Sequence, residues 1–209
     1  MSEMVDLDTV IDMGEELNNR TKIAIFASGS GSNFEALAAA CQRGEIDADV
    51  AVMVCDKPGA KVIERAERLG VTTFVVSPKE FESKQAYEQA ILDKLDELQV
   101  ELICLAGYMR IITDVLLDAY PERIMNVHPS ILPAFKGAHA IEQALAYGVK
   151  YFGVTIHLVN AELDSGMILD QAAFRYDGRK VAELEQLVHE AEHPLYIKTV
   201  KSFISELNN

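Results

Sequence analysis

Lys22-Ile23-Ala24-Ile25-Phe26-Ala27-Ser28-Gly29-Ser30-Gly31-Ser32-Asn33 is the stretch that decides the fold. A short apolar run gives way to a turn of small residues, and a segment of helical periodicity departs from that turn. A strand that breaks into glycine and serine and then opens a helix is the first unit of a parallel, nucleotide-type sheet. The alternation repeats outward, with strands predicted at 23–27, 51–55, 73–76, 102–106 and 124–127 and helices at 33–43, 61–69, 86–99 and 114–119. After Gly153 the order changes. Predicted strands at 154–159 and 167–174 are joined too closely for a helical crossover, so they pair antiparallel. A helix over 180–192 stops at Pro194 and a second follows over 197–207. The expected fold is α/β, a doubly wound, mostly parallel sheet with a Rossmann-like N-terminal half and an antiparallel departure near the C-terminal end. No repeat or linker divides it. One domain is expected over 21–209, preceded by an acidic extension, residues 1–20, in which 10–17 reads as a short helix.

With 209 residues, 49% apolar and 25% charged, the chain buries a substantial core and disorder is excluded as its bulk state. Nineteen basic against thirty-three acidic residues give a net charge of −14, which repels a phosphate backbone and argues against a nucleic-acid partner. No apolar run approaches the length of roughly 18 residues that a membrane span needs. The acidic start lacks the basic leader and apolar stretch of a secretory signal, so a cytoplasmic location is expected. Cys41, Cys55 and Cys104 form an odd, widely spaced set without a C-x-x-C pair and read as buried reduced thiols.

The turn at 28–33 opens a helix, where backbone N–H groups and the helix dipole grip a phosphate. Phe34 replaces the third glycine of the dinucleotide fingerprint, and no Lys-Ser/Thr pair makes a Walker loop. Either a phosphate cradle or a plain tight turn capped by Ser32 or Asn33 fits these residues. Further along, Asn126-Val127-His128-Pro129-Ser130 ends an apolar strand at the carboxyl edge where open α/β sheets place ligands. Side-chain alternation puts Asn126 and His128 on one side and Val127 on the other. An amide donor beside an imidazole suits an oxyanion and a moving proton; a satisfied structural histidine is the alternative. Asp164, in Leu163-Asp164-Ser165-Gly166, either orients His128 or is an ordinary turn aspartate. His157 faces either the same site or the core.

Five ordered motifs carry a family resemblance. They are Ser28-Gly29-Ser30-Gly31-Ser32-Asn33, Leu105-Ala106-Gly107-Tyr108-Met109-Arg110, Asn126-Val127-His128-Pro129-Ser130-Ile131-Leu132-Pro133, Gly153-Val154-Thr155-Ile156-His157 and Glu162-Leu163-Asp164-Ser165-Gly166. From about 22 to 203 the chain resembles the glycinamide ribonucleotide formyltransferases of purine biosynthesis. The resemblance implies direct transfer of the formyl group of 10-formyltetrahydrofolate, the co-substrate, to the amine of glycinamide ribonucleotide through a tetrahedral intermediate. It implies a catalytic trio of Asn126, His128 and Asp164. Gly31, Ser32 and Asn33 would hold the substrate phosphate, and Glu192 the ribonucleotide near its ribose and amine. His189 stands where the family usually carries a Lys or Gln that touches phosphate. Met109, Arg110, Ile111 and Ile112, with the backbone of Asn160, Ala161, Glu162, Leu163 and Asp164, would line the pterin pocket. Lys84 stands near the folate glutamate tail, and Met167 replaces a common proline. The expected assembly is a monomer or a homodimer.

His189-Glu190-Ala191-Glu192-His193 also satisfies the H-E-x-x-H zinc motif. Pro194 follows directly and the only later acidic third-ligand candidate is Glu206, so no metal is expected and Glu192 is read as a substrate ligand. Rival readings are a formyltetrahydrofolate deformylase, which normally has an added regulatory domain, a methionyl-tRNA formyltransferase with its tRNA-binding domain, and a catalytically silent folate- or nucleotide-binding module.

Overall fold

The computed structural model describes residues 20–208. The helix expected at 10–17 lies outside the described residues, as does the acidic extension apart from Arg20. Arg20 ion-pairs with Asp47 and Asp49 and donates to the Cys41 and Ile46 carbonyls, so it belongs structurally to the domain.

The elements run β1 (Thr21–Ala27), α1 (Ser32–Gln42), β2 (Ala48–Cys55), α2 (Lys61–Arg68), β3 (Thr73–Val75), α3 (Lys84–Glu97), β4 (Leu102–Leu105), α4 (Asp114–Ala119), β5 (Ile124–His128), α5 (Ala140–Tyr147), β6 (Tyr151–Leu158), β7 (Ile168–Arg175) and α6 (Val181–Leu207). Seven strands form one sheet in the order β3-β2-β1-β4-β5-β6-β7. The first five are parallel; β6 runs against β5 and β7 against β6. Chain order reverses direction between β1 and β4, and the crevice above their carboxyl ends is where such sheets bind ligands.

Central strands read as continuous apolar runs because both faces are covered. Ile23, Ile25, Met53, Cys104 and Met125 pack under α1, α2, α5 and α6, while Ala24, Phe26, Val54, Ile103 and Ile124 pack under α3 and α4. All three cysteines are buried free thiols, and burial pushes that of Cys41 up to about 12. Among the described residues no helix is long and apolar enough to cross a membrane.

Two expectations about helices need correction. The C-terminal segment is one helix of 27 residues with Pro194 inside it, not two. Pro194 withholds its N–H from the Glu190 carbonyl, but both residues lie on the exposed face, where water takes the orphaned oxygen. The opposite face continues the helix by burying Leu195, Tyr196 and Val200, and the Tyr196 hydroxyl lies within 3.2 Å of the Leu105 and Met125 carbonyls. The second correction is α5, a helix absent from the sequence reading; it begins after His139, a non-glycine residue with φ 59°.

Candidate active site

The turn after β1 is held from behind by α2. The Val62 amide donates to the Gly29 carbonyl at 3.1 Å, and Arg65 Nε to the Ser30 carbonyl at 2.7 Å. Gly31 occupies the N-cap position of α1 with φ 77°, and a Cβ there would lie 2.4 Å from Val62 Cγ2, so no other residue fits. The expected alternative of a Ser32 or Asn33 cap is not what forms: the helix start carries no side-chain cap. Asn33 instead turns inward, its Nδ2 donating to Glu192 Oε2 at 2.8 Å, while its Oδ1 is buried without a partner. Burial pushes the Glu192 carboxyl up, against the Asn33 hydrogen bond and the charge of His189. His189 itself is exposed on α6. His193 is half-buried with Nε2 unpartnered, and burial together with the neighbouring His189 and Arg65 pushes its pKa down.

The turn is stitched to the loop after β4, since the Ser28 amide donates to the Gly107 carbonyl and the Met109 amide to Ser28 Oγ at 2.8 Å. That loop is one wall of a cleft of about 620 Å³, with residues 137–142 and 159–164 as the others. Every residue expected along the pterin pocket (Met109, Arg110, Ile111, Ile112, Asn160, Ala161, Glu162, Leu163 and Asp164) lines this cleft. Arg110 is fixed by its Nε, which donates to the buried Asp56 carboxylate at 2.7 Å. Lys84 is not among the cleft residues; it is the exposed first residue of α3, beside the Ser83 cap. None of Gly31, Ser32, Asn33, His189 and Glu192 lines the cleft; the 28–33 turn joins its wall through Ser28, and Asn33 in turn holds Glu192.

Asn126, His128 and Asp164 all line the cleft, with His128 against Asp164. Asn126 and His128 share the β5 face opposite Met125 and Val127, as alternation requires. His128 is buried; its Nε2 lies 2.9 Å from the Phe135 carbonyl oxygen and its Nδ1 lies 3.4 Å from Asp164 Oδ2. Asp164, at φ 48°, also accepts from the Gly137 amide at 2.7 Å. Burial raises its carboxyl, but contact with His157, the Gly137 amide and the charge of both imidazoles outweigh this, and its pKa ends below the ordinary aspartate value.

His157 faces the site, not only the core. It stands opposite Asn126 in the β5/β6 register, with Nε2 3.2 Å from Asn126 Nδ2 and 3.6 Å from Asp164 Oδ1. The wall at 137–142 carried no motif; the one signal for it was the short helical period of Ala140–Tyr147.

A carboxylate, an imidazole and an amide lining an apolar cleft, next to a glycine turn at a helix start, can bind two ligands and stabilise a developing oxyanion between them. The sequence matches the formyl transferase family over residues 21–200. The chain belongs to that family. Among its formyl transferase relatives, the phosphoribosylglycinamide formyltransferase of Bacillus subtilis (strain 168) is 49% identical over 189 residues, 90% of this chain and 96% of that protein. The glycinamide ribonucleotide transformylase 1 of Geobacillus kaustophilus superposes with TM-score 0.86 at 47% identity, covering 88% of this chain and 99% of that one. The phosphoribosylglycinamide formyltransferase of Bacillus halodurans gives TM-score 0.86 at 42% identity over 90% of this chain and 97% of that one.

Proposed function

We propose that the chain transfers the formyl group of 10-formyltetrahydrofolate to the amine of glycinamide ribonucleotide, a step of purine biosynthesis. The observation that carries this reading is that Asn126, His128 and Asp164 line one cleft whose wall is stitched to the 28–33 turn. The names of the closely similar relatives agree with it.

The ribonucleotide phosphate sits on the Gly31, Ser32 and Asn33 amides at the start of α1, while Glu192, held by Asn33, reaches the ribose and amine. His189 stands three residues before Glu192 on α6 and offers an imidazole N–H to the same phosphate. A cleft of about 620 Å³ falls within the roughly 300–1,000 Å³ range of small-molecule sites, and its apolar walls around Ile111, Ile112 and Leu163 suit a pterin. Local backbone donors offset the chain's charge of −14 for both anionic substrates.

The amine nitrogen attacks the formyl carbon, forming a C–N bond as the carbonyl oxygen takes negative charge. The Asn126 amide and the His128 imidazole stabilise that oxygen. Asp164, ionised between two imidazoles, supports positive charge on His128 and draws the proton the amine sheds. The bond from the formyl carbon to the folate nitrogen then breaks, and the proton ends on that nitrogen.

The test is an assay of purified chain with both substrates, following tetrahydrofolate release. Formylated ribonucleotide in equal amount is the expected product. Formate release at the same rate without the ribonucleotide would make the chain a deformylase, and no turnover at all a binding module.

A further inference from the structure

We infer that His157 is a positioning residue whose Nε2 holds the Asn126 amide and the Asp164 carboxylate in one fixed relation across the reacting carbon. The inference rests on the reading of those two groups as the reacting machinery.

The imidazole is 2% exposed, and a buried ring needs partners for both nitrogens. Nδ1 lies 2.9 Å from the Leu158 carbonyl oxygen, which only accepts, so Nδ1 carries a proton. In the neutral ring Nε2 is then a lone pair and takes the N–H of Asn126 at 3.2 Å. Asp164 Oδ1 lies 3.6 Å from the same nitrogen, beyond a hydrogen bond but within ion-pair reach, and contact with the imidazole favours the ionised carboxylate. One atom thus meets two of the three members of the trio, accepting from the Asn126 amide and bordering the Asp164 carboxylate. The groups of the trio that face Nε2 come from β5 and from the 159–167 connection; the one titratable group among them is Asp164, which in turn faces His128.

The strand geometry aims the ring there. Asn126 and His157 are direct partners in the antiparallel β5/β6 pair, and the β6/β7 register shifts between Ile156 and His157. Such irregularities re-aim a side chain beside a functional site.

Three substitutions separate the roles. His157→Gln puts an amide near Nε2, His157→Asn keeps a polar atom only near Nδ1, and His157→Phe keeps neither. We expect kcat to fall about a hundredfold in H157F and H157N, with KM for both substrates within about threefold, and H157Q to recover to within about tenfold of the unsubstituted chain. Rescue by Asn and not by Gln, or full kcat in H157F, overturns the proposal. Should H157F fail to fold, the Gln and Asn pair decides by the same ordering. In the unsubstituted ¹⁵N-labelled chain, imidazole correlations should place the His157 proton on Nδ1; a neutral ring protonated at Nε2 overturns the proposal without any variant. If the unsubstituted chain transfers no formyl group, the function reading fails and this proposal with it. Normal transfer with full kcat in all three variants sinks only the positioning role.

Discussion

Gly31→Ala is the sharpest test of the phosphate turn. A β-carbon at φ 77° costs about 1 kcal/mol in backbone strain. The same atom would lie 2.4 Å from Val62 Cγ2, 2.6 Å from Val62 Cβ and 3.0 Å from Val62 Cα. Because the last two belong to the stem of α2, a rotamer change cannot relieve them, and the helix must move. Overpacking of this kind costs about 1–3 kcal/mol, and the reduced freedom of the unfolded chain returns roughly 0.5. The sum is a loss of about 1.5–3.5 kcal/mol. Moving α2 also lengthens the Val62-to-Gly29 and Arg65-to-Ser30 hydrogen bonds, so the phosphate amides lose their support. Urea unfolding should therefore show the stability loss, and KM for the ribonucleotide should rise more than KM for the folate. Adding Val62→Ala removes only the closest contact, so a double-mutant cycle should show a favourable coupling of about 1 kcal/mol. A stability loss below about 1 kcal/mol, or a rise confined to the folate KM, would refute the reasoning.

Asp164→Asn should lower kcat by about 10²–10³ with little change in either KM, measured at saturating substrate. Because the folded carboxyl lies below its ordinary value, its contribution to stability is present above that value and lost as pH falls through the folded one. The variant should thus show a flatter acid limb of stability below about pH 4. Glu192 has the opposite sign: with its pKa raised by burial, its contribution is full below the ordinary glutamate value and lost as pH climbs through the folded one. Glu192→Gln keeps an acceptor for Asn33, so thermal unfolding at neutral pH should show equal or greater stability while ribonucleotide KM rises about tenfold or more. Lys84→Ala should leave the folate KM within about twofold, because an exposed charge outside the cleft is screened by salt; a larger rise in steady-state kinetics would restore Lys84 to the folate site.

Much of the fold was legible because strands buried on both faces read as apolar runs, as in 23–27 and 102–105, and because a glycine turn marks where strand becomes helix. Local rules failed where burial outweighed them. Pro194 argued for a helix end, yet Tyr196 and Val200 must be buried on the same face as Leu184 and Val188, and that carries the helix through. At the site, Asn126 and His128 were legible by alternation on one strand. Asp164 was not, because it lies in a different loop and only the family motif paired it with His128. Of the polar side chains, His157 was the least legible: its face follows from the register of β6 against β5, which no residue of β6 announces.

The antiparallel departure is what makes the trio possible. Had β6 been parallel to β5, its carboxyl end would lie beside His128 and the next connection would lead away over the sheet edge. Instead β6 ends at Leu158 opposite Met125, one residue past the His157–Asn126 pair, and the chain re-enters as β7 with Ile168 opposite His157. The connection must double back within a few residues. Gly166 permits this, since a Cβ there would lie 1.7 Å from the Leu158 carbonyl oxygen, and Asp164 takes the left-handed backbone that turns its carboxylate inward. Once there, it is held by the Gly137 amide and by two imidazoles from neighbouring strands. The carboxylate is thus placed by strand direction and by one glycine, and a larger residue at 166 should displace Asp164 while leaving Asn126 and His128 where β5 puts them.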